Sequence, residues 1–169
     1  MKKSKLLATT ILILVLCLTI TNPTMLAYAD EEDIHKVESV EALAYTRVNN
    51  ETITLPVKID LTFKVTDYFK RLTTTKLVEG SISIGNESYV VDNGWATALH
   101  RTNMPGIKAF AEGWCTGENA HFIILAVDVG RAEDGNGILM KFKCGFKHTE
   151  GWYYINGTLL RYKLQSEAI

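Results

Sequence analysis

The chain has no excess of basic residues. It contains 18 lysines and arginines against 19 acidic residues, a formal net charge of −1 with histidine neutral. Lys2, Lys3 and Lys5 are the only charged residues before position 30, so residues 30–169 carry a net charge of −4. A nucleic-acid-binding face needs a clustered cationic surplus, and so does adhesion to an anionic membrane surface. The charge balance therefore argues against both partners.

Sequence motifs for catalysis and metal binding are missing as well. We find no nucleophile elbow, no paired-carboxylate motif and no His-Glu-x-x-His segment. The histidines are far apart along the chain, and no Cys-x-x-Cys occurs, so the ligand spacing of a zinc site is absent. They are His35, His100, His121 and His148. The sequence therefore assigns no catalytic residue, no metal ligand and no cofactor, and a non-enzymatic protein is favoured.

A long apolar span is also missing. The run from Leu6 to Ile20 has 15 residues, whereas a membrane-spanning helix needs roughly 20. This run follows the three lysines and precedes Ala27-Tyr28-Ala29, where small residues at alternate positions suit a signal peptidase. The pattern predicts a signal peptide over residues 1–29 and a secreted or cell-surface protein with no membrane span after cleavage. An uncleaved membrane anchor is the alternative.

The segment 30–50 is predicted to be a short N-terminal helix or a leader. It begins with four acidic residues, Asp30 to Asp33, which suit the positive end of a helix dipole. Ile34, Val37, Val40 and Leu43 then recur near helical spacing. We expect a single β domain over residues 51–169 to follow this segment.

Strict alternation dominates the rest of the chain. From Ile53 to Val65 every odd position is apolar and nearly every even position is polar, as in a strand with one buried face. Further short apolar segments follow, separated by turn signals such as Gly85-Asn86 and Asn93-Gly94, and Asn156-Gly157 could split the last one. Short loops join antiparallel neighbours. We therefore predict an all-β, antiparallel up-and-down meander of eight or nine strands, closed as a β-barrel, with a β-sandwich as the alternative.

Cys115 and Cys144 are candidates for a disulfide, because an exported pair can persist in the oxidised form. In the expected layout one other strand lies between them. Two strand spacings are about 9.5 Å, whereas bridged Cα atoms lie within roughly 6.8 Å of each other. A bridge would therefore require Cys115 to lie where its strand gives way to a loop. Two buried free thiols are the alternative.

Small side chains share one face of two neighbouring segments. They leave volume that a ligand could fill if they line a barrel lumen. Bulky neighbours such as Phe142, Phe146 and Trp152 could fill the same volume. The candidate cavity-lining residues are Ala96, Ala98, Ile107, Ala109, Ala111 and Gly113.

The stretch Gly80-Ser81-Ile82-Ser83-Ile84-Gly85, then Tyr89 and Asp92-Asn93-Gly94, resembles a loose group of small secreted microbial proteins, expected to be archaeal, whose function is unknown. The resemblance covers about half of the chain, Gly80 to Leu164, and consists of strand and turn residues. The outline is also similar to that of calycins, the barrels of lipocalins and avidins. The lipocalin Gly-x-Trp signature is absent from the start of the first barrel strand, so the resemblance implies a shape and assigns no functional residue.

Three further patterns allow other roles. Asn50, Asn86 and Asn156 begin N-glycosylation acceptor triplets. A sugar-stacking face would need the aromatic residues Trp95, Trp114, Trp152, Tyr153 and Tyr154 to be exposed together, and core packing is their other use. A hydrolytic site would need convergence of at least two carboxylates drawn from Asp60, Glu79, Glu112 and Asp128.

We therefore expect a secreted, non-enzymatic β-barrel that binds a small apolar ligand or a protein partner. An extracellular hydrolase with a diffuse carboxylate site and a structural or adhesion component of the cell surface are the alternatives.

Overall fold

A computed structural model describes residues 33–69, 72–99, 108–116 and 119–164; the predicted signal peptide over residues 1–29 lies outside this part. Eight antiparallel strands follow one another along the chain. Each strand pairs with the next, and the last pairs with the first, so the sheet closes on itself. The predicted meander closed as a β-barrel is thus confirmed. The strands are β1 Ile34–Val48, β2 Glu51–Phe69, β3 Leu72–Ile84, β4 Glu87–Leu99, β5 Lys108–Cys115, β6 His121–Arg131, β7 Ile138–His148 and β8 Gly151–Lys163.

The helix predicted within residues 30–50 is wrong, because Ile34 to Val48 form strand β1. The near-helical spacing arises from a bulge around Val40, where the pairing register shifts against both β2 and β8. An extra residue reverses the alternation of faces. Val37 therefore points inward before the bulge, whereas Ala42 and Ala44 point inward after it, and Val40 is 62% exposed. β1 belongs to the same barrel as residues 51–163 and closes it.

The dipeptides Asn93-Gly94 and Asn156-Gly157 lie inside strands rather than at hairpin turns, so β4 and β8 each run unbroken. Gly94 follows a register shift in the β4–β5 ladder, and an added Cβ would lie 2.7 Å from the carbonyl oxygen of Glu112. An added Cβ on Gly157 would lie 2.7 Å from the Cα of Ala42 in the β1 bulge. Glycine is therefore required where two backbones approach closely.

The two ends of the barrel differ in the size of their inward side chains. The end formed by the β1–β2, β3–β4, β5–β6 and β7–β8 connections, which we call the filled end, holds large buried side chains. They include Ile84, Tyr89, Phe122, Phe146 and Ile155. The opposite end, where β1 begins and β8 ends, carries mainly small inward residues on β4, β5 and β6, and we call it the open end. The core therefore occupies one part of the lumen and leaves space in the other.

Candidate functional site

A cavity of about 250 Å³ lies in the open end of the barrel. Its deep part is lined by apolar side chains from β2, β6, β7 and β8, namely Leu61, Ile124, Met140 and Leu159. One wall consists of alanines. In the pairing register Ala98, Ala109 and Ala126 form a row across β4, β5 and β6, next to the cross-strand pair of Ala96 and Ala111. Because alanine side chains are small, this wall leaves space in the lumen, and that space is the cavity.

Most of the small residues singled out in the sequence line this space. Ala96, Ala98, Ala109 and Ala111 are all part of the lining, whereas Ile107 lies outside the described residues. Gly113 does not line the cavity, contrary to expectation. An added Cβ there would lie 2.5 Å from the ring of Phe122, so this large side chain from the filled end already occupies the space above Gly113.

Polar residues from β1, β2 and β8, together with Asp33 just before β1, line the mouth of the cavity, and the sequence reasoning missed them. Asp33 Oδ1 lies 3.3 Å from His35 Nε2 and 3.2 Å from the ammonium of Lys163. The hydroxyl of Tyr68 donates to the other carboxylate oxygen of Asp33. Arg161 on β8 also lines the cavity at this level. We call these five residues the mouth cluster.

The charges of the mouth cluster influence one another. Burial by itself raises the pKa of Asp33, but the hydrogen bond from Tyr68 and the ammonium of Lys163 outweigh it and hold this pKa below its usual range. Burial and the neighbouring Arg161 guanidinium lower the pKa of His35 against the opposing pull of Asp33. At neutral pH Asp33 is therefore ionised and the imidazole of His35 is uncharged.

Arg161 is a charged residue of β8 whose side chain faces the barrel lumen. It pairs with Val37 and Ile138 on the neighbouring strands, and its side chain is half-buried. Burial lowers its pKa against the attraction of Asp128, Tyr68 and Asp33, but an arginine remains charged at any physiological pH. Within the described part of the chain, no carboxylate lies close enough to form a salt bridge with it.

The predicted disulfide is not formed: Cys115 and Cys144 are both buried thiols that are not bridged to each other. Ile124 pairs with Cys144 on β7 and with Ala111 on β5. Across the sheet, Cys144 is therefore level with Ala111 of β5, and Cys115 lies four residues farther along that strand. The two cysteines are separated by two strand spacings across the sheet and by about 13 Å along it. Burial also raises the pKa of the Cys144 thiol to about 12, so this thiol stays protonated and unreactive.

The carboxylates considered for hydrolysis lie on four different strands, β2, β3, β5 and β6, and none is part of the cavity lining. Asp60 pairs with Lys36 at 3.3 Å, and Glu79 is exposed. Asp128 accepts a hydrogen bond from the backbone N–H of Gly130. Glu112 lies 2.8 Å from His121 Nε2, but strand alternation puts this pair on the outer surface, away from the lumen.

The described residues contain no group of three or more histidine, cysteine, aspartate or glutamate side chains positioned to hold a metal ion. They also contain no helix with the length and apolar character needed to cross a bilayer.

The aromatic residues considered for sugar stacking do not form one continuous face. Trp114 and Trp152 lie on the outer surface, in a row with His121 and Lys147 between them. Trp114 contacts the ring of His121 at 5.1 Å between centroids, and the ammonium of Lys147 lies 5.9 Å from the ring centroid of Trp152. Trp95 packs on Phe110 instead. Tyr154 is exposed on the outer face of β8, whereas Tyr153 is buried and stacks on His148.

The three glycosylation candidates are all exposed. Asn50 lies in the β1–β2 turn with a positive φ of 70°, and Asn86 lies in the β3–β4 turn. Asn156 lies in the middle of β8, paired with Leu43 and Lys143. Each side chain is accessible from outside the barrel.

No protein-family model matches this sequence, and no curated protein shows significant similarity to it. A barrel of this kind hosts many unrelated functions. The argument for function therefore starts from the cavity and from the mouth cluster.

Proposed function

We propose that this protein is a non-enzymatic binding protein that holds a small, mainly apolar molecule in the open end of its barrel. The cavity of about 250 Å³ carries the proposal. Protein interiors are normally packed as tightly as organic crystals, and small-molecule sites are concave, mostly apolar pockets with a few polar groups. An apolar interior with a polar mouth cluster fits that description.

The size of the cavity limits the ligand. One water molecule occupies roughly 30 Å³ of liquid, so the cavity accepts about eight groups of that size. The apolar lining of its deep part offers water few hydrogen-bond partners, and displacement of poorly held water by an apolar group favours binding. An apolar chain is therefore the occupant that the deep part of the cavity favours.

Native mass spectrometry of the protein purified under mild conditions tests the proposal. We expect a retained small molecule, or binding of an added one such as octanol, at one equivalent. Ala111→Leu places a larger side chain in the cavity and should abolish binding. Thr54→Leu adds the same side chain at an exposed position of β2 outside the cavity, and should bind normally. Equal binding by the two variants would place the ligand elsewhere and contradict the proposal.

Export is part of the proposal. The basic start, the short apolar run and the Ala-x-Ala motif support removal of residues 1–29 by a signal peptidase. The intact mass of the protein recovered from outside the producing cells should correspond to a chain that begins at Asp30. A recovered chain that still contains the apolar run would instead support an uncleaved anchor.

Docking of a protein on the outer surface is the second candidate function. The outward side chains of β6 are apolar and exposed, and large patches of this kind often mark interfaces. They are Ile123, Leu125, Val127 and Val129. The double variant Leu125→Lys with Val127→Lys should leave ligand binding in the cavity unchanged and should weaken capture of a partner. If the double variant captured the partner protein as well as the wild type does, the outer face of β6 would not be the docking surface.

A further inference from the structure

We infer that the ligand of the cavity is an amphipathic anion, with its apolar chain against the alanine wall and its acidic group beside Arg161 and Lys163. This inference rests on the proposed function, because it names the chemical class of ligand for the same cavity. Three features of the mouth cluster carry it: an inward arginine without a carboxylate partner among the described residues, the balance of charges at the described part of the mouth, and a histidine nitrogen without a hydrogen-bond partner there.

The first feature is the position of Arg161. It follows Leu159 by two residues on the inward face of β8, and its neighbours in the sheet are Val37 and Ile138. A charge that is partly removed from water needs a partner of opposite sign. The described residues place no carboxylate within 4.0 Å of its guanidinium. The planar guanidinium is suited to bind a carboxylate or a phosphate through two hydrogen bonds.

The second feature is the balance of charges that line the cavity. Asp33 is the acidic residue of the lining, against Arg161 and Lys163. The carboxylate of Asp33 already accepts a hydrogen bond from Tyr68 at Oδ2 and lies within ion-pair distance of Lys163 and His35 at Oδ1, although this buried Oδ1 accepts no hydrogen bond from the described residues. Asp128 on β6 attracts Arg161 from farther away, but it does not line the cavity and accepts a hydrogen bond from Gly130. At neutral pH the described residues of the lining therefore have a net charge of +1, held by Arg161.

The third feature is the Nδ1 atom of His35. This atom is buried and has no hydrogen-bond partner among the described residues, although the other ring nitrogen faces Asp33. An anion at the mouth would favour the protonated imidazole, in which both nitrogens donate. A cationic ligand would meet repulsion from Arg161 and Lys163, and an uncharged ligand would supply no carboxylate to an arginine that has none among the described residues.

The experiment compares three probes with the same eight-carbon chain: octanoate, octanol and octylamine. Isothermal titration calorimetry at neutral pH should show octanoate binding ten- to a hundredfold more tightly than octanol, since hydrogen bonds to charged groups are the stronger class. Octylamine should bind most weakly. Equal affinity for octanoate and octanol would overturn the inference and leave the proposed function standing. Binding of none of the three probes, with no retained molecule, would overturn both.

Variants identify the residue responsible. Arg161→Gln should lower the affinity for octanoate at least tenfold and leave the affinity for octanol within a factor of two. Lys163→Gln, a change at a more exposed position, should lower the affinity for octanoate by a smaller factor and serves if the first variant does not fold. The matched control is Arg47→Gln, an exposed arginine near the filled end, which should bind as the wild type does. An equal loss in Arg47→Gln and Arg161→Gln would contradict the inference.

Discussion

Single residues at the mouth of the cavity show how much of the site the sequence could reveal. The alanine wall was predictable, because a stripe of small residues can be read directly from alternate positions of one strand. Arg161 and His35 were missed, yet the signal was present. Arg161 has the same parity as Ile155 and Leu159 on β8, and His35 has the same parity as Val37 on β1. A charged or titratable residue at an inward position of an amphipathic strand marks a site, once the inward parity is known.

The first prediction at this scale concerns His35. Its pKa is lowered in the folded protein, so the unfolded chain takes up a proton first as the pH falls below about 6.5. This contribution to stability is fully present above that pH and is lost as the pH falls towards the lower folded pKa. Urea unfolding at several pH values should therefore show less pH dependence between pH 6.5 and pH 5 for His35→Gln than for the wild type.

His121→Gln is the matched control for this pH experiment, because His121 lies on the outer face beside Glu112 and Trp114. In His121→Gln, the free energy of unfolding should keep the dependence on pH that His35 contributes. If both variants retained the slope of the wild type, the assignment to His35 would be wrong. The lowered pKa of Asp33 acts in a separate window: its contribution is present above about pH 4 and is lost as the pH falls through the folded value.

The second prediction at this scale concerns the close approach of β8 to the β1 bulge. A Cβ on residue 157 would clash with the backbone of Glu41 and Ala42, which cannot move aside as a flexible side chain can. Gly157→Ala should therefore lower the free energy of unfolding by about 2–3 kcal/mol. In the control, Gly145→Ala, the nearest atom to the new Cβ is 3.7 Å away on the ring of Trp152. Chemical denaturation should show no loss for the control, and equal losses would refute the explanation.

Among the strands, β2 and β1 mark the limits of pattern reading. The alternation of β2 survives in its central part, where Val57, Ile59, Leu61 and Phe63 are buried, although Thr62 is buried as well and Ile53 is exposed. The alternation of β1 is broken by one extra residue, and a broken period of two resembles a helical period over a short stretch. The Asn-Gly dipeptides of β4 and β8 misled for a related reason: glycine permits both a tight turn and a close approach of two strands, and the dipeptide alone does not distinguish them.

Barrel closure through β1 gives the prediction at the scale of the element. Ala44 is fully buried and pairs with Leu55 on β2 and with Ile155 on β8. Proline removes a backbone donor, so Ala44→Pro should break the ladder and leave a buried acceptor unsatisfied, at a cost of about 1–3 kcal/mol. Val40 lies in the bulge, without a paired residue in either ladder, so Val40→Pro should cost less than half as much. Thermal unfolding followed by circular dichroism compares the two, and equal costs would show that β1 does not close the barrel.

For the whole molecule, the division of the lumen into a filled end and an open end separates stability from binding. The large side chains that the sequence shows in β6, β7 and β8 explain the filled end. The position of the cavity was less predictable, since it depends on which alanines of β4, β5 and β6 fall in one row after the bulges set the register. Short-range patterns do not determine such a row, because each bulge shifts all the residues that follow it.

This separation predicts opposite effects for one substitution made at the two ends. Ala98→Leu adds apolar groups to the cavity, so it should raise the melting temperature of the ligand-free protein by several degrees, from about 1–2 kcal/mol of added burial. It should also abolish the further increase that octanoate produces in the wild type, because stabilisation by a ligand requires binding to the folded state. Ala44→Leu adds the same groups to a fully buried position outside the cavity, where overpacking should cost about 1–3 kcal/mol. Thermal unfolding with and without octanoate measures the melting temperature of each variant and the increase that the ligand produces. Destabilisation by Ala98→Leu equal to that by Ala44→Leu would mean that the open end is packed like the rest of the core, because only unfilled volume can accept a leucine without strain.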